Sequence, residues 1–148
     1  MPHTPTRVCR SLCAAGALVA LLLGGCVSDG CPGRAEPGEA TVDGFLIEAC
    51  VVGSGAEQVY DGPYREYYPS GALATEGQFV DDEQEGRWRS WYEDGSRETL
   101  SYWRDDVPHG LYRRWSPDGA VIESRCLQGG VDAPDAFCRA QLESDGLF

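Results

Sequence analysis

The feature that most restricts this chain is a period of 24 residues. Three segments align on it. The first is Gly62-Pro-Tyr64-Arg-Glu-Tyr67-Tyr68-Pro-Ser-Gly71. The second is Gly86-Arg-Trp88-Arg-Ser-Trp91-Tyr92-Glu-Asp-Gly95, and the third Gly110-Leu-Tyr112-Arg-Arg-Trp115-Ser116-Pro-Asp-Gly119. Phe79, Trp103 and Leu127 keep the same step, and Asp81-Asp82 recurs as Asp105-Asp106. So many matched positions mark a repeat architecture, in which each unit buries its apolar surface against its neighbours.

Each unit reads as a β-hairpin. In the first strand Tyr64, Glu66 and Tyr68 point one way and Arg65 and Tyr67 the other, because successive side chains alternate across a strand. Pro-Ser-Gly, Glu-Asp-Gly and Pro-Asp-Gly are turns whose glycine supplies a positive φ. A second strand follows, as in Ala72 to Val80 and Ser96 to Arg104. The Asp-Asp pairs begin the turn to the next unit. Gly62, Gly86 and Gly110 suit a bulge or a close backbone approach. The expected fold is all-β: an elongated antiparallel meander, with an N-terminal signal helix and a short C-terminal capping helix.

The motif Gly-x-aromatic-x-x-aromatic-aromatic-x-x-Gly at this period resembles the MORN repeat variant of many bacterial proteins, some of them termed YwqK-like antitoxins. The resemblance covers roughly residues 60–130. It implies a twisted sheet of hairpins that attaches to protein or lipid and does no catalysis. Two departures stand out: Asp-Asp where Asn-Gly is usual between units, and Ser116 where the second aromatic is usual. The third unit then reads as a worn, capping one.

The flanks read as an address and two caps. Arg7 and Arg10 precede an apolar run from Leu12 to Leu23, too short to span a bilayer, which needs about 20 residues. This fits a signal peptide over residues 1–25. Leu23-Gly24-Gly25-Cys26 resembles the bacterial lipobox, which implies a diacylglyceryl or acyl modification on Cys26 and a membrane anchor. Val27 in place of Asp points to the outer membrane of a bacterial envelope. Residues 26–42 are rich in Gly, Pro and Glu and read as a flexible tether. Residues 43–59 read as an N-terminal capping strand, with Phe45–Val52 a half-hairpin. Residues 131–148 read as a C-terminal cap, with Asp132 as N-cap of a short helix. There Phe137 and Leu142 would cover the last strand's edge.

Of seven cysteines, Cys9 and Cys13 leave with the signal peptide and Cys26 is lipidated. Cys31, Cys50, Cys126 and Cys138 remain, an even number suited to two disulfides in an exported chain. Several strands of about 4.8 Å each separate Cys50 from Cys126, more than the roughly 4.4–6.8 Å that a disulfide spans. The local pairs Cys31–Cys50 and Cys126–Cys138 are therefore favoured. No CxxC spacing supports a zinc site.

Composition removes several functions. The chain carries 24 acidic and 12 basic residues, all of the latter Arg, for a net charge of −12. That disfavours nucleic acid and bare anionic lipid as partners. Catalysis lacks candidates. His109 is the one histidine beyond the signal segment, and no hydrolase, zinc-protease, phosphate-loop or dinucleotide motif occurs. No catalytic residue, metal or cofactor is expected. Asp81, Asp82, Glu83, Glu85, Asp105 and Asp106 should form a solvated acidic rim; calcium binding or steering of a basic partner are its alternatives.

The aromatic positions are the best binding candidates. One ladder, Tyr64, Trp88 and Tyr112, should be a structural seam. The other, Tyr67, Trp91 and Trp115, lies on the opposite face beside Arg65, Arg89 and Arg113. Arg with aromatics is the usual composition of interface anchors. The expectation is a lipid-anchored, non-catalytic module that binds an unknown protein or envelope component through this face. An antitoxin or immunity role and a lipid or cell-wall attachment role are the alternatives.

Overall fold

The structure is a computed structural model and describes residues 30–144. The expected signal helix and Cys26 lie outside these residues, as does the Leu142 side chain. The elements are β1 (Glu36–Val42), β2 (Phe45–Val52), a short 3-10 turn (Gly55–Glu57), β3 (Val59–Tyr67), β4 (Leu73–Val80), β5 (Glu83–Trp91), β6 (Arg97–Arg104), β7 (Val107–Pro108), β8 (Gly110–Trp115), β9 (Val121–Gln128), β10 (Val131–Asp132) and α1 (Asp135–Ser144). All ten strands join one antiparallel sheet in sequential order, with β7 an offshoot paired to β6. The substantial contacts are all between neighbours along this order, with α1 against β8 and β9. The fold is the expected meander of hairpins, extended by the strand-by-strand addition of units.

The period of the sequence is a period of the backbone. Gly62 faces Phe79, Gly86 faces Trp103 and Gly110 faces Leu127 across each hairpin. A large apolar side chain thus covers the gap each glycine leaves in the sheet. Register shifts recur at Glu66/Tyr67, Ser90/Trp91 and Arg114/Trp115. The tight turns repeat as well: Gly71, Gly95 and Gly119 donate to the carbonyls of Tyr68, Tyr92 and Ser116 at 2.8, 2.9 and 2.8 Å. The third unit therefore keeps the turn and register of the other two in its backbone.

Gly62, Gly86 and Gly110 adopt φ of 125°, 70° and 134°, values that L-residues rarely take. At Gly62 the strand bulges: Ala49 pairs with Tyr64 and Val51 with Tyr60, so Cys50 alone faces three residues. At Gly86 Glu76 pairs with Arg89 and Gln78 with Glu85, so Gly77 alone faces three residues, one register step away from the bulge at Gly62.

Both flanks differ from the sequence reading in an instructive way. The tether does not reach Val42: residues 36–42 form β1, which pairs along its whole length with β2. The N-terminal cap is thus a complete hairpin closed by Asp43-Gly44, at φ 50° and 90°, a pair suited to a two-residue turn with positive φ. Pro37, Glu36 and Glu39 sit on this outer strand, and proline and charge there discourage edge-to-edge pairing. At the other end Asp132 is not a helix cap. It lies in β10 and holds Arg125 at 2.9 Å, which lowers the Asp132 carboxyl below its usual range. Helix α1 covers the face of β8 and β9 instead of the sheet's edge; Phe137 packs edge-on against His109 at 5.2 Å.

The two disulfides are Cys31–Cys50 and Cys126–Cys138, with Cα separations of 5.4 and 5.8 Å, as the spacing argument favoured. Among the described residues Cys138 is the most buried side chain, and it packs with Leu100, Leu111, Trp115 and Cys126 as a small core beneath α1.

Candidate functional site

The sheet's two faces divide the aromatic residues as alternation requires. On one face the rings of Tyr60, Tyr64, Phe79 and Trp88 touch, with centroids 5.0–5.6 Å apart. Trp88 is buried and its indole lies directly on Gly77, where a Cβ would stand 2.2 Å from the ring. This is the structural seam. Burial, with help from Glu66 and Tyr60, pushes the Tyr64 hydroxyl up to about 12, so it stays protonated under ordinary conditions.

The opposite face carries Arg65, Tyr67, Glu76, Arg89 and Trp91. Glu76 lies across from both Arg65 and Arg89. It is 4.0 Å from Arg65 and closely paired with Arg89. The Arg89 guanidinium stands 5.6 Å from the Trp91 ring centroid, within cation–π range. Tyr67 donates its hydroxyl to Glu48 at 3.0 Å; burial first, then this bond, raises its titration above the ordinary tyrosine value. Arg65 and Arg89 are 54% and 43% exposed, while Glu76 is 22% exposed. The carboxylate sits in the floor and the guanidiniums stand over it.

Four of the six expected binding residues therefore come together: Arg65, Tyr67, Arg89 and Trp91. Trp115 and Arg113 do not join them. Trp115 is buried in the core under α1, and Arg113 lines the cleft between that helix and the sheet with Cys126 and Cys138. The third step of the ladder is spent on anchoring the cap. The sequence carried no sign of this, because nothing in residues 131–148 says which face the helix would cover.

The acidic turns prove to be structural. Tyr60 N–H donates to Asp82 Oδ1 at 2.8 Å, and Gln84 N–H donates to Asp106 Oδ1 at 2.6 Å. Asp105 N–H donates to Glu85 at 3.2 Å. Among the described residues no group of three His, Cys, Asp or Glu could hold a metal ion. Among them, too, no helix is long and apolar enough to cross a membrane.

Sequence comparison agrees with the geometry over the central units. Residues 60–81 and 84–105 match the MORN repeat variant. The match stops at the second unit, whereas the backbone repeats through a third. No curated protein matches the chain. Adjacent repeats of this type point to a protein-interaction module, and the family is generally non-catalytic.

Proposed function

We propose that this protein is an exported, lipid-anchored, non-catalytic binding module of the bacterial cell envelope, which grips a protein through the arginine face of its central unit. The observation that carries the reading is the Arg65–Glu76–Arg89–Trp91 patch, left open on the sheet between two disulfide-held caps. Arginine and tryptophan are the side chains that dominate interface energies. A charge of −12 favours a protein partner over anionic lipid or nucleic acid.

The export reading is supported by Leu23-Gly24-Gly25-Cys26 and by the apolar run before it. Two disulfides suit an oxidising compartment. Cys26 would carry the diacylglyceryl anchor, and Val27 favours the outer membrane over retention in the inner one. Mass spectrometry of the membrane-extracted protein should find the modified Cys26, and Cys26→Ser should release the chain from membranes. An unmodified thiol at that position ends the anchor reading.

The binding reading is tested by crosslinking and pull-down from the native cells, comparing wild type with Trp91→Ala. Partners should be lost with the indole; an unchanged partner set removes the patch as the binding surface. An antitoxin or immunity role is the finer version of the same reading. It requires that the recovered partner be a toxin acting in the envelope.

A further inference from the structure

We infer that the central unit takes an acidic peptide segment of a partner protein, while the chain's own caps cover the sheet on either side. This deepens the binding reading above and rests on it. The observation is a comparison of three glycines related by the repeat. A Cβ built at Gly62 would stand 2.6 Å from Pro32 and 2.9 Å from Cys50. One built at Gly110 would stand 2.5 Å from Gln141 and 2.8 Å from Tyr102. At Gly86, whose φ of 70° differs from the 125° and 134° of the other two, nothing lies within 4 Å.

Two of the three bulges are thus filled in cis. Pro32 is held by the adjacent Cys31–Cys50 bridge, and Gln141 by the Cys126–Cys138 bridge three residues before it. Both caps lie on the arginine face. Cys50 alternates with Glu48, which faces Arg65. Cys126 faces Leu111, which shares its side of β8 with Arg113. The chain therefore displays on itself how this face receives a segment of polypeptide, and it leaves the middle position open.

That open position is a groove of about 340 Å³ whose lining includes Arg65, Glu76, Glu85, Gly86, Arg87 and Arg89. The absent side chain at Gly86 lets a peptide backbone come close. Three arginines line it against the carboxylates of Glu76 and Glu85, in a chain that carries twice as many acids as bases. Glu76 engages Arg65 and Arg89, and each of these guanidiniums has five donors in a planar fork, more than one carboxylate fills. Carboxylates are the ligands that such forks hold with two parallel bonds. Trp91, beside Arg89, offers a flat apolar surface for a neighbouring side chain. The occupant these features select is a short acidic segment, one per chain.

The test is a fluorescence anisotropy titration of the oxidised full-length chain in detergent with fluorescein-labelled hexaglutamate. One equivalent should bind, more weakly as salt rises. Arg89→Gln and Arg65→Gln should each weaken binding about tenfold, the loss of one charge-assisted contact. Arg114→Gln, which removes the Glu123 partner on the other face, should leave it unchanged. Thermal melts matched to wild type keep the arginine variants interpretable. The inference falls if hexaglutamate does not bind at low salt, or if more than one equivalent binds. It also falls if both arginine variants bind as wild type, or if hexalysine or a thymidine octamer binds in its place. If Trp91→Ala strips native partners while hexaglutamate stays unbound, the binding reading stands and the acidic occupant alone is wrong.

Discussion

Asp82 and Tyr60 hold each other by two backbone-directed bonds across the sheet: Asp82 N–H donates to the Tyr60 carbonyl at 2.8 Å, and Tyr60 N–H donates to Asp82 Oδ1 at 2.8 Å. Asp106 and Gln84 repeat the pair one period later, at 3.2 and 2.6 Å. In the third turn Gly130 donates to the Pro108 carbonyl at 2.9 Å. Proline has no N–H to satisfy, and the residue opposite it has no carboxylate to offer. The turn between units thus clamps the strand that begins the unit before it. This accounts for aspartate at φ 70° and 60° in positions 82 and 106, where glycine would be conformationally easier.

Replacing Asp82 by Ala should destabilise the fold by about 1–2 kcal/mol, the sum of a lost acceptor and alanine's poorer tolerance of positive φ than aspartate's. Asp82→Gly loses the acceptor but gains conformational ease, so its loss should be clearly smaller. Urea unfolding of the two variants separates them. Equal stability of wild type and Asp82→Ala would show that the clamp contributes nothing.

Gly77→Ala should be among the most damaging small substitutions. Its methyl would enter the Trp88 ring, 2.2 Å away, and overpacking of this kind costs about 1–3 kcal/mol. The indole must move for the chain to fold. A shift in tryptophan emission should therefore accompany the drop in melting temperature.

Tyr68 donates its hydroxyl to the Trp91 carbonyl, and Tyr92 donates to the Trp115 carbonyl, both at 2.9 Å. These bonds tie each unit to the next. Ser116, the third residue in this series, instead bonds locally to Asp118 and to the Ala120 carbonyl. Tyr68→Phe and Tyr92→Phe should each cost about 1 kcal/mol, and their effects should add because the two bonds share no partner. Ser116→Ala should cost less than either. A double phenylalanine variant no weaker than the single ones would contradict independent inter-unit bonds.

Breaking the Cys126–Cys138 bridge frees the α1 cap from Leu111 and Trp115. The Cys126→Ser, Cys138→Ser double variant should lose about 3 kcal/mol, as expected for a short closed loop. Its tryptophan emission should shift to the red as Trp115 meets water. Removing Cys31–Cys50 leaves Trp115 covered and should not move the emission, which makes it the control.

Alkaline stability should depend on Tyr64. Its folded-state value near 12 lies above the ordinary tyrosine value of 10.0. The folded chain therefore keeps a proton that the unfolded chain gives up between those limits, and stability must fall as pH rises through that window. In Tyr64→Phe this part of the decline should vanish. Melts at a series of pH values from 9 upward check it, and parallel curves for the two proteins would refute the assignment.

The repeat was legible because a sheet of equal hairpins requires the same residues at the same steps. A glycine is needed wherever the backbone bulges, a large apolar residue must face it, and a small turn residue must follow. Those demands are local, so Gly62, Gly86 and Gly110 and their partners declare them without reference to distant chain. The local disulfides follow from the same geometry, since strand-by-strand addition keeps Cys50 and Cys126 far apart. Residues 36–42 escaped notice because an outer strand is exposed on both faces and shows no apolar alternation; its pairing is decided by β2. The fate of the second aromatic ladder was likewise settled only in three dimensions. Tyr67, Trp91 and Trp115 are equivalent along the chain, yet α1 packs over β8 and β9 and buries the last of them. Burial depends on which face a cap lands on, and that depends on packing between segments that share no periodicity.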